Sequence, residues 1–194
     1  MIIALSRVCA LLVLTGAAAC AKGADKPPVV EASSPAPAAT PRATPADWQV
    51  TEHGLGPLHA GMTVAQVAAV VPGTFASPSG AAASECEYAS WSDAPAGVHV
   101  MLVSGTVGRV DVDSQTVATA AGATVGDSEA RIDSLYPGRV RRMPHKYTDG
   151  SYLVVLAVAP ADTMDRLVFE TDGTHVTTFR AGRVPPVEYV ERCS

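Results

Sequence analysis

Aromatic residues make up only 5% of this chain of 194, so its core cannot be built around rings. Val, Leu and Ala must supply most of it. Although 47% of the residues are hydrophobic, much of that share is alanine before residue 45. A basic excess is also missing. The formal net charge is −5, which leaves nothing to displace phosphate counterions and excludes nucleic acid as a partner. Short catalytic signatures are wanting as well: there is no H-E-x-x-H, G-x-S-x-G, P-loop or Rossmann fingerprint. The histidines His53, His59, His99, His145 and His175 never fall at the i, i+4 spacing of a helical zinc site. No catalytic residue, metal ligand or cofactor is therefore assigned.

What is present begins with a leader. Residues 1–19 read as a signal peptide, with Arg7 before the apolar run Val8–Leu14. That run is too short to cross a bilayer, which takes about 20 apolar residues. Ala17-Ala18-Ala19 directly before Cys20 resembles a bacterial lipobox, although Ala17 stands where a Leu is usual. The resemblance implies a lipidated Cys20 as the first mature residue. Ordinary cleavage after Ala17-x-Ala19 is the alternative. Residues 20–47 then form the lipidated cysteine and a disordered Pro/Ala-rich tether, which cannot bury enough apolar surface to offset its ordering entropy. Ala21 after the cysteine, rather than Asp, resembles lipoproteins sorted to an outer membrane.

Beyond the tether the chain is organised by a repeated stretch. Gly61–Gly73, GMTVAQVAAVVPG, returns 65 residues later as Gly126–Gly138, GDSEARIDSLYPG. Each copy reads as a hydroxyl N-cap, a short helix and a Pro-Gly stop. Thr63 with Gln66 makes a capping box, and Val64, Val67, Ala68 and Val71 give one apolar face. In the second copy Ile132, Leu135 and Tyr136 form the buried side. Strand candidates follow each helix: 85–91, 98–103 and 107–112 after the first, and 139–143, 151–158, 166–170 and 175–180 after the second. Hairpins fall at Ser104-Gly105-Thr106 and Thr171–Thr174. These elements predict an α+β protein made of a tandem pair of helix-plus-antiparallel β-meander units, 48–118 and 119–194, each with one sheet face left open. Asp111 and Asp113 belong on the solvent side of an alternating strand.

Cysteine is sparse, and its placement is informative. Cys9 leaves with the leader and Cys20 takes the lipid, so Cys86 and Cys193 remain as a pair in an oxidising compartment. Their bridge would close a loop on the order of 100 residues, worth roughly 4–5 kcal/mol in the chain-entropy account.

The densest polar stretch is 143–150, MPHKYTDG. His145, Lys146, Tyr147 and Asp149 there could form a recognition loop, with Arg180 and Arg183 joining the same face. The plainer reading is a turn cornered on Asp149-Gly150, with Tyr147 packed inward. The basic cluster Arg139, Arg141, Arg142 reads as a solvated strand face.

The G-M-T-x-x-Q-V start at Gly61–Val67 and the duplicated Gly126, behind a lipoprotein leader, carry a resemblance. This arrangement is similar to the small lipoprotein of the outer-membrane β-barrel assembly machine, and to the β-lactamase inhibitory protein with its tandem domain. It also looks like bacterial envelope lipoproteins of unknown role. The resemblance implies a fold and a binding module, and no functional residue. The expected function is a non-catalytic, lipid-anchored binding or assembly module facing the periplasm, most simply from the outer membrane, with a protein partner. A structural envelope lipoprotein, a small hydrolase and a sugar-binding protein are the alternatives.

Overall fold

In the computed structural model, residues 48–82, 84–156 and 164–193 are described. The leader, Cys20 and the tether lie outside them. The chain is a mixed α+β protein. It opens with three two-residue strands, β1 (Val50–Thr51), β2 (Gly54–Leu55) and β3 (Leu58–His59), which pair in that order. Then come α1 (Val64–Val70), β4 (Phe75–Ala76), β5 (Cys86–Tyr88), β6 (Ser90–Trp91), β7 (Val98–Val103) and β8 (Thr106–Val112). After α2 (Glu129–Leu135) follow β9 (Val140–Pro144), β10 (Ser151–Val155), β11 (Asp165–Thr171) and β12 (Val176–Arg183). One antiparallel sheet of seven strands holds the molecule, in the order β5-β7-β8-β12-β11-β10-β9.

The first helix forms where the capping residues place it. The Gln66 N–H donates to Thr63 Oγ1 at 3.3 Å and the Thr63 N–H to Gln66 Oε1 at 2.8 Å, closing the capping box. Ser128 caps α2 in the same way, accepting from the Arg131 N–H at 3.3 Å. Val67 and Val71 of the first stretch are buried, as are Ile132 and Tyr136 of the second, whereas Ala68 faces solvent. With Thr63→Ala, the Gln66 N–H at the helix start loses its acceptor, so a loss of about 1 kcal/mol is expected in urea unfolding. A change below about 0.3 kcal/mol would mean that tertiary packing alone sets this helix.

Alternation along the strands splits the side chains between two faces. Val98, Val100, Leu102, Val110, Val112, Leu153, Leu167, Phe169, Phe179 and Ala181 point to the helix side and make the main core with Val67 and Ile132. Trp48, Leu55 and Leu58 of the opening segment close that core from above, and Trp48 stacks on Trp91 with ring centroids 6.0 Å apart. Gly56 makes this stack possible. It sits at φ +51°, and a Cβ there would lie 2.6 Å from the Trp48 ring.

The stretch 85–91 does not form one strand. β5 stays in the large sheet while β6 turns away to pair with β4, Phe75 opposite Trp91. Trp91 is held there because its indole N–H donates to Pro72 O at 2.9 Å.

Candidate functional site

The second face of the sheet is where sequence and structure part. Cross-strand pairing lays out a row of side chains on it: Arg141, Val154, Val168, Arg180, Asp111 and His99, one from each of β9, β10, β11, β12, β8 and β7. Such a face would be open if the chain ended at β12. Instead, residues 184–193 run back across it. Pro186–Glu188 forms a single 3-10 turn, and Val187 is buried with Tyr152, Val154 and Val168 in a second small core. Cys193 then bonds to Cys86 on edge strand β5, with Cα atoms 5.3 Å apart. The bridged pair is the one expected from the cysteine count.

Two buried arginines hold this strap down. Arg109, 2% exposed, reaches up from β8 and donates to Pro186 O at 3.0 Å and Tyr189 O at 2.8 Å. Its charge is met by Asp111, two residues along the same strand, at 3.0 Å. The Tyr88 hydroxyl donates to the same carboxylate at 2.8 Å. Burial pushes the Tyr88 hydroxyl pKa up, and the neighbouring Asp111 charge adds to the shift. Arg180, 4% exposed, donates to Val187 O at 2.6 Å and pairs with Glu170. Asp111 is thus no solvent-face residue. It neutralises a guanidinium that has left water to bind main-chain carbonyls.

The six residues expected to share a binding surface go to different places. Arg180 lies inside the second face, under the strap, because its guanidinium is needed by Val187 O and Glu170. Arg183, at the end of β12, pairs with Asp165 at 3.4 Å on the far side of the domain, near His53, whose Nδ1 is 2.6 Å from Asp165. The loop residues stay together. The His145 N–H closes the loop by donating to Gly150 O at 2.9 Å, and Asp149 is exposed at its corner. The His145 ring turns inward, stacked on Tyr152 with centroids 4.5 Å apart and 3.6 Å from Glu170. Tyr147, expected inside if this were merely a turn, is 60% exposed. Its hydroxyl bonds to Glu191 of the strap, which Lys146 also approaches at 3.1 Å. These bonds raise the Lys146 pKa to about 12, the Tyr147 hydroxyl being the larger cause and Glu191 the next. The basic cluster divides too. Arg139 bonds Glu52 and Leu156 O, Arg142 meets Glu129 and Asp133 of α2, and Arg141 pairs with no acid among the described residues.

Between this loop, β9, β10 and the strap lies a groove of about 330 Å³. Tyr152, Val154 and Val168 form its floor, Met143 and Lys146 one wall, Glu188 and Val190 the other, and Arg141 stands at the sheet edge. No family model and no curated protein matches the chain. One solved structure does align with it, described as "Crystal structure of the uncharacterized protein yfeY from Escherichia coli". It is 13% identical, with a TM-score of 0.42, over 70% of this chain and 99% of that one. At that similarity it carries no argument about this molecule. Among the described residues no group of His, Cys, Asp and Glu could hold a metal, and no helix is long and apolar enough to cross a membrane.

The bridge expected from the cysteine count fastens the tail to the stretch 85–91, but sequence reading missed that the tail covers the second face and frames a groove, and both had signals. Arg109-x-Asp111 places two opposite charges on one side of a strand whose large apolar side chains are all valine. The tail VPPVEYVERC carries Val184, Val187 and Val190 at a spacing of three, ahead of a cysteine that needed a partner.

Proposed function

We propose that this protein is a non-catalytic binding module, anchored by lipid on Cys20 to the periplasmic side of a bacterial envelope, most simply the outer membrane, and in contact with a protein partner. The observation that carries the reading is the corner formed by the 143–150 loop and the strap. Met143, Tyr147 and Tyr189, three of the exposed large hydrophobic side chains, gather there beside Lys146. Exposed aromatic and methionine side chains next to a cation are the composition of protein contact surfaces. Binding is favoured over catalysis because, Arg141 at the sheet edge apart, the ionisable groups of this face are committed to one another and to main-chain carbonyls. His145, the imidazole at this corner, is stacked on Tyr152 rather than presented to solvent, and His99 farther along the face lies 3.2 Å from Asp113.

We also read the domain as a duplication of one helix-plus-meander unit. In support, the Gly61 N–H donates to Val107 O at 2.7 Å and the Gly126 N–H to Val176 O at 2.8 Å, with both glycines near φ +90°. In return Val107 N–H donates to Met62 O and Val176 N–H to Asp127 O, each at 2.8 Å. If Val107 is matched to Val176, Asp111 matches Arg180. Those two residues sit opposite each other where β8 pairs with β12, and Val112 faces Phe179 while Val110 faces Ala181. That register is what a local two-fold axis through the Asp111–Arg180 pair would produce.

Two measurements test the functional reading. Mass spectrometry of the mature N-terminus should find a diacylglyceryl group on Cys20, and an unmodified or different first residue refutes the anchor. A photo-crosslinking side chain at position 147 should yield a discrete protein adduct in intact cells that the same group at exposed Gln115 does not. Identical adducts from both positions, or none from 147, refute the contact surface.

A further inference from the structure

We propose that the groove over Val154 and Val168 is a ligand site for a small amphipathic monoanion: a medium-length acyl chain ending in a carboxylate. The inference goes beyond the protein contact, which concerns the outer surface of the loop and strap. The groove lies inside that surface, at the low end of the roughly 300–1,000 Å³ range of small-molecule pockets.

Three features of the groove define its occupant. The lining is apolar, since Val154 and Val168 lie at its base, almost covered by Val187 and Val190 of the strap, while Met143 and Val190 keep accessible surface towards the groove. Its charges are unequal. Lys146 is answered by Glu191 and Arg180 by Glu170, but Arg141 at the open edge pairs with no acid among the described residues. Arg141 faces Val154 across β9 and β10, so its guanidinium stands at the end of the apolar floor. Lastly, the Tyr152 hydroxyl is buried in the lining without a partner. Burial pushes the Tyr152 hydroxyl pKa up, and the nearby Lys146 backbone N–H offsets this only in part and makes no well-formed hydrogen bond. A buried hydroxyl left without a partner is costly, and a ligand oxygen would remove that cost.

Each feature selects part of the ligand. The apolar lining of Met143, Pro144 and Val190 takes the acyl chain, and the single unmatched guanidinium takes one planar carboxylate in a bidentate pair. A doubly charged phosphate fits less well, because Glu188 lines the opposite wall and Glu170 stands beside Tyr152 on the next strand.

The test uses the full chain carrying Cys20→Ser, exported to an oxidising compartment without its lipid so that no detergent competes. Calorimetry is run with decanoate and with decanol, both below the concentration at which they aggregate. Saturable one-to-one binding of decanoate is expected, at least about tenfold tighter than decanol, as befits one charge-assisted contact. Arg141→Gln changes only an exposed side chain, so folding is not at stake. It should cost decanoate about tenfold and leave decanol unchanged. Tyr152→Phe should weaken decanoate by a smaller factor, and Val190→Glu should abolish both. Absence of saturable decanoate binding overturns the proposal, as does equal affinity for the alcohol or an unaltered affinity in Arg141→Gln. Cross-linking at 147 is read separately, so either conclusion can fail without the other.

Discussion

Cys193→Ser is expected to lower the melting temperature by roughly 10–15 °C while leaving the far-ultraviolet signature of the helices and sheet in place. The bridge spans 107 residues, and a loop of that length is worth roughly 4–5 kcal/mol in the chain-entropy account. The strap adds a local term. Once Cys193 is free, Val187 is kept over Tyr152, Val154 and Val168 only by its own packing and by the carbonyl bonds from Arg109 and Arg180. If the strap lifts, those guanidinium groups regain water but lose shaped acceptors, and the groove loses the wall made by Glu188 and Val190. The measurement is thermal unfolding of the exported chain followed by circular dichroism, with and without reductant. A shift below about 3 °C would show that the arginines alone keep the strap in place. Peptide mapping that finds Cys86 and Cys193 free in the native protein would remove the premise.

The parts of this molecule that sequence reasoning reached are those set by local chemistry. Thr63 and Ser128 begin helices because their hydroxyls cap N–H groups three residues on, and that is written within four positions. Alternating valines in 98–103 and 107–112 with a Ser-Gly-Thr corner are equally local. The cysteine pair followed from counting, given the oxidising compartment that the expected leader implies. What could not be read depends on distant pieces of chain meeting. That β8 would pair with β12, making one sheet of seven strands, is not encoded in either strand alone. Arg180 illustrates the cost of that gap. As an isolated residue near the end of a strand it resembles a surface cation, yet seven residues later the chain returns to give it Val187 O. Tyr147 went the other way: a turn tyrosine is ordinarily drawn inward, but the inner position was already taken by His145 against Tyr152.

Arg109→Ala should be among the most destabilising single substitutions in the second face, at about 3–5 kcal/mol. The variant leaves the Asp111 carboxylate buried beside Tyr88 without its cation, and it strips the donors from Pro186 O and Tyr189 O. The cause is separable by a cycle. Asp111→Ala alone leaves a buried guanidinium uncompensated and should cost a similar amount. The double variant removes both charges, so its loss should fall short of the sum by about 1–3 kcal/mol. Urea unfolding of the four proteins gives the coupling directly, and strict additivity would mean that the pair is solvated and the strap not closed. Lys146→Ala/Tyr147→Ala is the contrast. Both side chains are exposed and meet the strap only at Glu191, itself exposed, so stability should change by less than about 1 kcal/mol. A loss of partner adducts in that pair, read with the photo-crosslinking side chain moved to exposed position 189, reports on recognition. The same loss in any variant that includes Arg180 would report only that the second face had come apart.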